Sequence, residues 1–107
     1  MAAIVRVDEH DLPWAEYTAA GPGRVRVKAI TPRGSGAPPV QYVEYAPGHR
    51  DGVHSHDEDE VFLILAGDVR IGESVNGQGS MVFIPRHTEY EMCAGSEGVR
   101  FFRVVTG

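Results

Sequence analysis

Residues 48 to 67 read G-x5-H-x-H-x3-E-x6-G, with fixed points at Gly48, His54, His56, Glu60 and Gly67. This run constrains the chain more than any other stretch. In an extended strand alternate residues share a face, so His54 and His56 project together and Glu60, four residues on, keeps their parity. A hairpin closing between them turns the carboxylate toward the same interior. Two neutral imidazole nitrogens and a carboxylate form a chelating set for a divalent transition metal, with coordination positions left open. The competing interpretation is a solvated surface loop, because the segment is rich in His, Asp and Glu. Val61-Phe62-Leu63-Ile64-Leu65 follows at once, so the acidic patch runs straight into core.

The rest of the chain is written in strands and turns. Arg24 to Ile30 alternates charged and apolar residues, Pro32 to Pro39 is a loop, and Val40 to Tyr45 resumes as strand. Val61 to Leu65 is apolar on both faces. Gly67-Asp68 reads as a hairpin turn with Val69 to Glu73 returning, and Asn76-Gly77 is the strongest short turn signal. Met81 to Ile84, Tyr90 to Cys93 and Val99 to Val105 complete the strands, with Gly95 to Gly98 between the last two. Only Asp8 to Ala20 has room for helix, and Pro13 and Gly21-Pro22-Gly23 limit it to a turn or two. This pattern predicts an all-β jelly-roll barrel, and 107 residues make one domain with little to spare. The net charge of −5 argues against a nucleic-acid surface. No apolar run approaches membrane-spanning length, and the N-terminus lacks the apolar core of a signal peptide. With a lone Cys93, read as a small buried hydrophobe, these features suit the cytoplasm.

The 48–67 run resembles the first motif of the cupin superfamily at every fixed position. The family's second motif, G-x5-P-x-G-x2-H-x3-N, is half matched. Gly79 to Pro85 supplies G-x5-P, but His87 stands for the usual Gly, Tyr90 for the usual His and Ala94 for the usual Asn. The resemblance covers residues 48 to 90 and implies a single cupin domain over 1-107, a double-stranded β-helix. It implies a divalent transition metal held by His54, His56 and Glu60, with iron favoured and Mn, Ni, Zn or Cu as alternatives. Tyr90 then has three meanings: a phenolate ligand, a hydrogen-bond donor beside a three-ligand site, or core. Cupins commonly pair, and the two-faced run Val61 to Leu65 points the same way, toward a homodimer.

Inward parity nominates Phe62, Ile64, Phe83, Tyr90, Met92 and Phe101 as the lining of a pocket, with His87 at its rim. Such a lining suits a small molecule presenting an oxygen donor on an apolar body, such as an enolisable ketone, a phenol or a small carboxylate. No basic cluster is evident among the inward positions. The alternative is a dry core. His49 and His10 read as surface groups, and Asp57, Glu58 and Asp59 as a solvated turn. Glu89 and Glu91 should face away from the interior unless a one-residue slip turns one inward. The resemblance implies a small metal-binding cupin, dioxygenase-like in the leading interpretation. A non-catalytic binding or sensing module and a metal-assisted isomerase or lyase are the alternatives.

Overall fold

Residues 4–106 are described by the structure, a computed structural model. Alternating sequence becomes alternating burial along eight strands: β1 (Ala15–Glu16), β2 (Val25–Ala29), β3 (Val40–Tyr45), β4 (Arg50–His54), β5 (Asp59–Ile71), β6 (Ser74–Gly77), β7 (Met81–Ile84) and β8 (Tyr90–Thr106). The order is β1-β2-β3-β8-β5-β6, with β4 added to β8 and β7 to β5. All ladders are antiparallel. Among the described residues no helix is long and apolar enough to cross a membrane.

The two long strands create the jelly roll. The first part of β8 pairs with β4, from His54↔Tyr90 to Arg50↔Cys93, and its second part with β3, from Tyr45↔Val99 to Val40↔Val104. Likewise β5 pairs with β7 over Glu60 to Leu63 and with β6 over Asp68 to Ile71. Each strand therefore serves two sheets, and the bend falls where the β5–β8 register shifts, between Ile64 and Ala66 and between Gly67 and Val69. The bend needs glycine. Gly67 has φ 71°, and a Cβ there would lie 2.0 Å from the Gly98 carbonyl oxygen. Gly98 has φ 77°, and a Cβ there would lie 2.6 Å from the Tyr45 carbonyl oxygen.

Three sequence expectations give way here. Gly67-Asp68 is a bend inside one strand, and the hairpin turn falls at residues 72–73. Gly95 to Gly98 is likewise continuous strand within β8. Asn76-Gly77 is not a turn either: Asn76 pairs with Val69 and Gly77 with Asp68, so the turn moves to 78–79, where Gly79 takes the left-handed conformation at φ 86°. In each case pairing across a long partner strand overrides local turn chemistry.

The core is built from Phe62, Ile64, Val69, Met92 and Phe101, each at most 1% exposed. The N-terminal segment forms two 3-10 turns, Glu9–Asp11 and Thr18–Ala20, around β1. Trp14 anchors it, packing on Tyr42 and lying beneath the cations of Arg26 and Lys28. Lys28, itself buried, bonds the Glu9 carbonyl and carboxylate at 2.8 Å each. That attachment carries Tyr17, Ala19 and Ala20 to the edge of the barrel interior.

Candidate functional site

The interior is not filled. A cavity of about 540 Å³ opens between the sheets, within the ~300–1,000 Å³ typical of small-molecule sites. Val25, Val27, Val43, Phe62, Met92 and Phe101 supply its apolar wall. Its polar wall includes Gln41, Tyr45, His49, Arg50, Asp51, His54, His56, Glu60, Tyr90 and Arg103.

Glu60 is the centre of the first polar group. It is the second residue of β5, and strand alternation turns it inward with Phe62 and Ile64, leaving it 1% exposed. A carboxylate that deep needs donors, and it has them. Tyr90 donates its hydroxyl to Oε1 at 2.8 Å, and Arg103 donates Nε to Oε2. A second nitrogen of Arg103, Nη1, donates to Gln41 at 3.0 Å. His56 Nε2 lies 3.6 Å from Glu60 Oε1. His54 is the cross-strand partner of Tyr90, their ring centroids 4.4 Å apart. Its Nδ1 lies 2.7 Å from the Gly52 carbonyl, which only accepts, so Nδ1 carries a proton, and in the neutral ring Nε2 is the nitrogen with the lone pair. Burial, then the hydrogen bond to Glu60, raises the Tyr90 pKa above that of a free phenol. Tyr90 is thus a neutral phenol donating to a carboxylate.

The metal expected from the motif meets an obstacle. Both Glu60 oxygens are engaged, one of them by a guanidinium that already balances its charge. Among the described residues no three His, Cys, Asp or Glu side chains are placed to hold a metal ion. His54, His56 and Glu60 share one cavity wall, but as they stand they do not form a three-ligand shell.

Of the expected lining, Phe62, Tyr90, Met92 and Phe101 face the cavity. Ile64 does not; it is fully buried in the core beyond it. Phe83 is 62% exposed and points outward, because Val61, its partner across the β5–β7 ladder, faces out. His87 is also outside: its side chain is 66% exposed, 3.6 Å from the exposed Asp57, on a backbone at φ 61°. Glu89 and Glu91 stay off the cavity wall, so the register that brings Tyr90 inward holds. His49, read as a surface group, is buried and lines the cavity. His10 is exposed, as read. Arg103 supplies a cation where none was expected. Parity could have found it, since Val99, Phe101, Arg103 and Val105 share one face of β8.

No known family model matches the sequence, and no curated protein matches it. Solved structures do match. An RmlC-like cupin protein from Ralstonia eutropha JMP134 superposes with a TM-score of 0.83 at 20% identity, covering 98% of this chain and 69% of that one. The polyketide cyclase RemF from Streptomyces resistomycificus gives 0.80 at 20% identity, covering 96% and 78%. An RmlC-like cupin from Shewanella frigidimarina NCIMB 400 gives 0.76 at 13% identity, covering 100% and 96%. The strand order, the bent strands shared between two sheets and these likenesses agree: the chain has the fold of a small cupin.

Proposed function

We propose that this cupin binds a small, partly apolar organic molecule through an oxygen function and acts on it by proton transfer. The observation behind this reading is Glu60. A fully buried carboxylate, satisfied by Tyr90 and Arg103, is costly to place in a small barrel and contributes little net stability there. It stands on the wall of an open cavity beside His56, where its network sets polar groups against an incoming ligand. The opposite wall of Phe62, Met92 and Phe101 suits the ligand's apolar body. The likeness to a protein named as a polyketide cyclase fits carbonyl chemistry in such a cavity. Titration with phenylacetone, a ketone on an apolar body, followed by NMR tests the binding. We expect saturable shifts at Phe62, Met92 and Tyr90, weakened at least tenfold in Phe62→Ala. Absence of saturable shifts at these residues refutes the reading.

A second reading, the dioxygenase-like one, keeps the metal and has one observation in its favour. The 3.6 Å between His56 Nε2 and Glu60 Oε1 is a spacing that one ion can bridge, with His54 alongside. It requires Glu60 to release Arg103 or Tyr90. Metal analysis after anaerobic loading with ferrous iron and desalting decides between the two. One equivalent in the wild type, lost in His54→Ala/His56→Ala, establishes the metal reading. Less than a tenth of an equivalent leaves the metal-free cavity.

A further inference from the structure

A second polar group lies on the cavity wall, apart from the Glu60 cluster. His49 sits just before β4 and is 8% exposed. Its backbone is pinned on both sides, N–H to the Ala46 carbonyl at 3.0 Å and C=O from the Ala94 N–H at 2.8 Å. Its ring meets Tyr45 edge-on, with centroids 4.9 Å apart. Nε2 lies 3.0 Å from Asp51 Oδ1, and the Tyr45 hydroxyl donates to Asp51 Oδ2. Burial, reinforced by this bond to Asp51, raises the Tyr45 pKa, so its proton stays on the phenol. Asp51, as a carboxylate, only accepts. In the neutral His49 ring the proton facing Asp51 is at Nε2, which leaves the lone pair on Nδ1. Among the described residues Nδ1 has no hydrogen-bond partner, and no buried side-chain nitrogen or oxygen is left unpaired. The ring that carries this nitrogen lines the cavity. Tyr45, His49 and Asp51 line the same cavity as Glu60, Tyr90 and Arg103.

We propose that His49 is the general base of this cavity, with Asp51 as its positioning residue, and that the ligand is an enolisable carbonyl compound. The inference rests on the small-molecule reading above and deepens it. His49 Nδ1 takes the proton from the carbon next to the carbonyl. The C–H electron pair becomes the enolate double bond, and the carbonyl π pair moves onto oxygen. Arg103 meets that charge: its Nε and Nη1 are committed to Glu60 and Gln41, while Nη2 has no partner among the described residues. Return of the proton from His49 to carbon regenerates the neutral base, so no oxidant, reductant or co-reactant is needed. An Asp-oriented imidazole is suited to this work because the carboxylate fixes the tautomer and stabilises the imidazolium that forms.

The test is deuterium exchange at the α-carbon of phenylacetone in D2O, read by proton NMR, with binding measured in the same samples. Wild-type protein should accelerate exchange over the buffer control, and His49→Gln should lose at least tenfold of that acceleration. Asp51→Asn keeps the shape of the side chain. It should lower the exchange rate at saturation without weakening phenylacetone binding, a split that a merely structural Asp51 would not produce. Imidazole nitrogen spectra of the wild type should show His49 protonated at Nε2 only, a preference lost in Asp51→Asn. Binding without exchange, wild-type exchange in His49→Gln, or an Nδ1-protonated tautomer overturns the inference while the binding reading stands. No binding at all overturns both.

Discussion

Glu60 and Tyr90 are thirty positions apart in the chain yet share one hydrogen bond, and much of the site's energetics follows from that contact. Tyr90→Phe keeps the ring against His54 and Phe62 but withdraws a donor from a buried carboxylate. We expect a loss of about 2 kcal/mol in chemical denaturation at neutral pH, the scale for a hydrogen bond to a charged group. Burial and the carboxylates raise the pKa values of both Tyr90 and Tyr45 on folding. The unfolded chain therefore gives up these protons first. The stability they contribute is fully present below about pH 10 and is lost as pH rises further. Midpoints followed against tyrosinate absorbance should fall above that pH, less steeply in Tyr90→Phe. Much of this site could be read in the sequence, since strand parity alone turns Glu60, Phe62, Tyr90 and Met92 inward. His49 escaped because it follows Pro47-Gly48, which reads as an exposed turn. Its burial comes from long-range bonding to Ala94 that no local pattern encodes. Arg103 has legible inward parity, but a charged residue reads as surface until its partner is known, and the sequence motif points Glu60 to a metal instead.

Strands were easier to read than their ends. β2, β3 and β7 fall where alternation places them, because each is short and ends at true turns. In the sequence β5 and β8 each read as two strands, since the glycines that bend them look like the glycines that end strands. The difference lies in what surrounds them. At Gly67 the left-handed backbone lies against the Gly98 carbonyl inside a paired ladder, a contact set by β8 and invisible locally. Gly67→Ala should therefore cost more than about 4 kcal/mol, combining positive-φ strain with a backbone overlap that has nowhere to relax. Thermal unfolding measures it. Gly72→Ala, at a turn with open space around the missing Cβ, is the control and should cost only about 1 kcal/mol.

At the scale of the molecule, the outer face remains. Val61 pairs with Phe83 and Leu63 with Met81, and these side chains face away from the cavity. Val61, Leu63 and Met81 form an apolar patch with Ile30, Val40, Phe102 and Val104, Met81 being 70% exposed, and Phe83, 62% exposed, pairs with Val61. A second copy of the chain is the expected cover. Light scattering at micromolar concentration should give a dimer, and Met81→Lys a monomer that keeps the β fold by circular dichroism but melts lower, because the partner no longer stabilises the native state; a monomeric wild type would sink the idea. The two long strands also set the order of assembly. Their ladder runs from Asp59↔Thr106, far apart in sequence, to Ile71↔Met92, the nearest pair. Closing the smaller loop sacrifices less chain entropy, so zippering should start at the Ile71 end and reach Glu60 last. Truncations at Ile71 should slow refolding, whereas truncations near Asp59 should mainly hasten unfolding. The carboxylate on which the cavity depends would then be among the last groups to leave water. A chain arrested late in folding would already be a barrel, but without an assembled pocket.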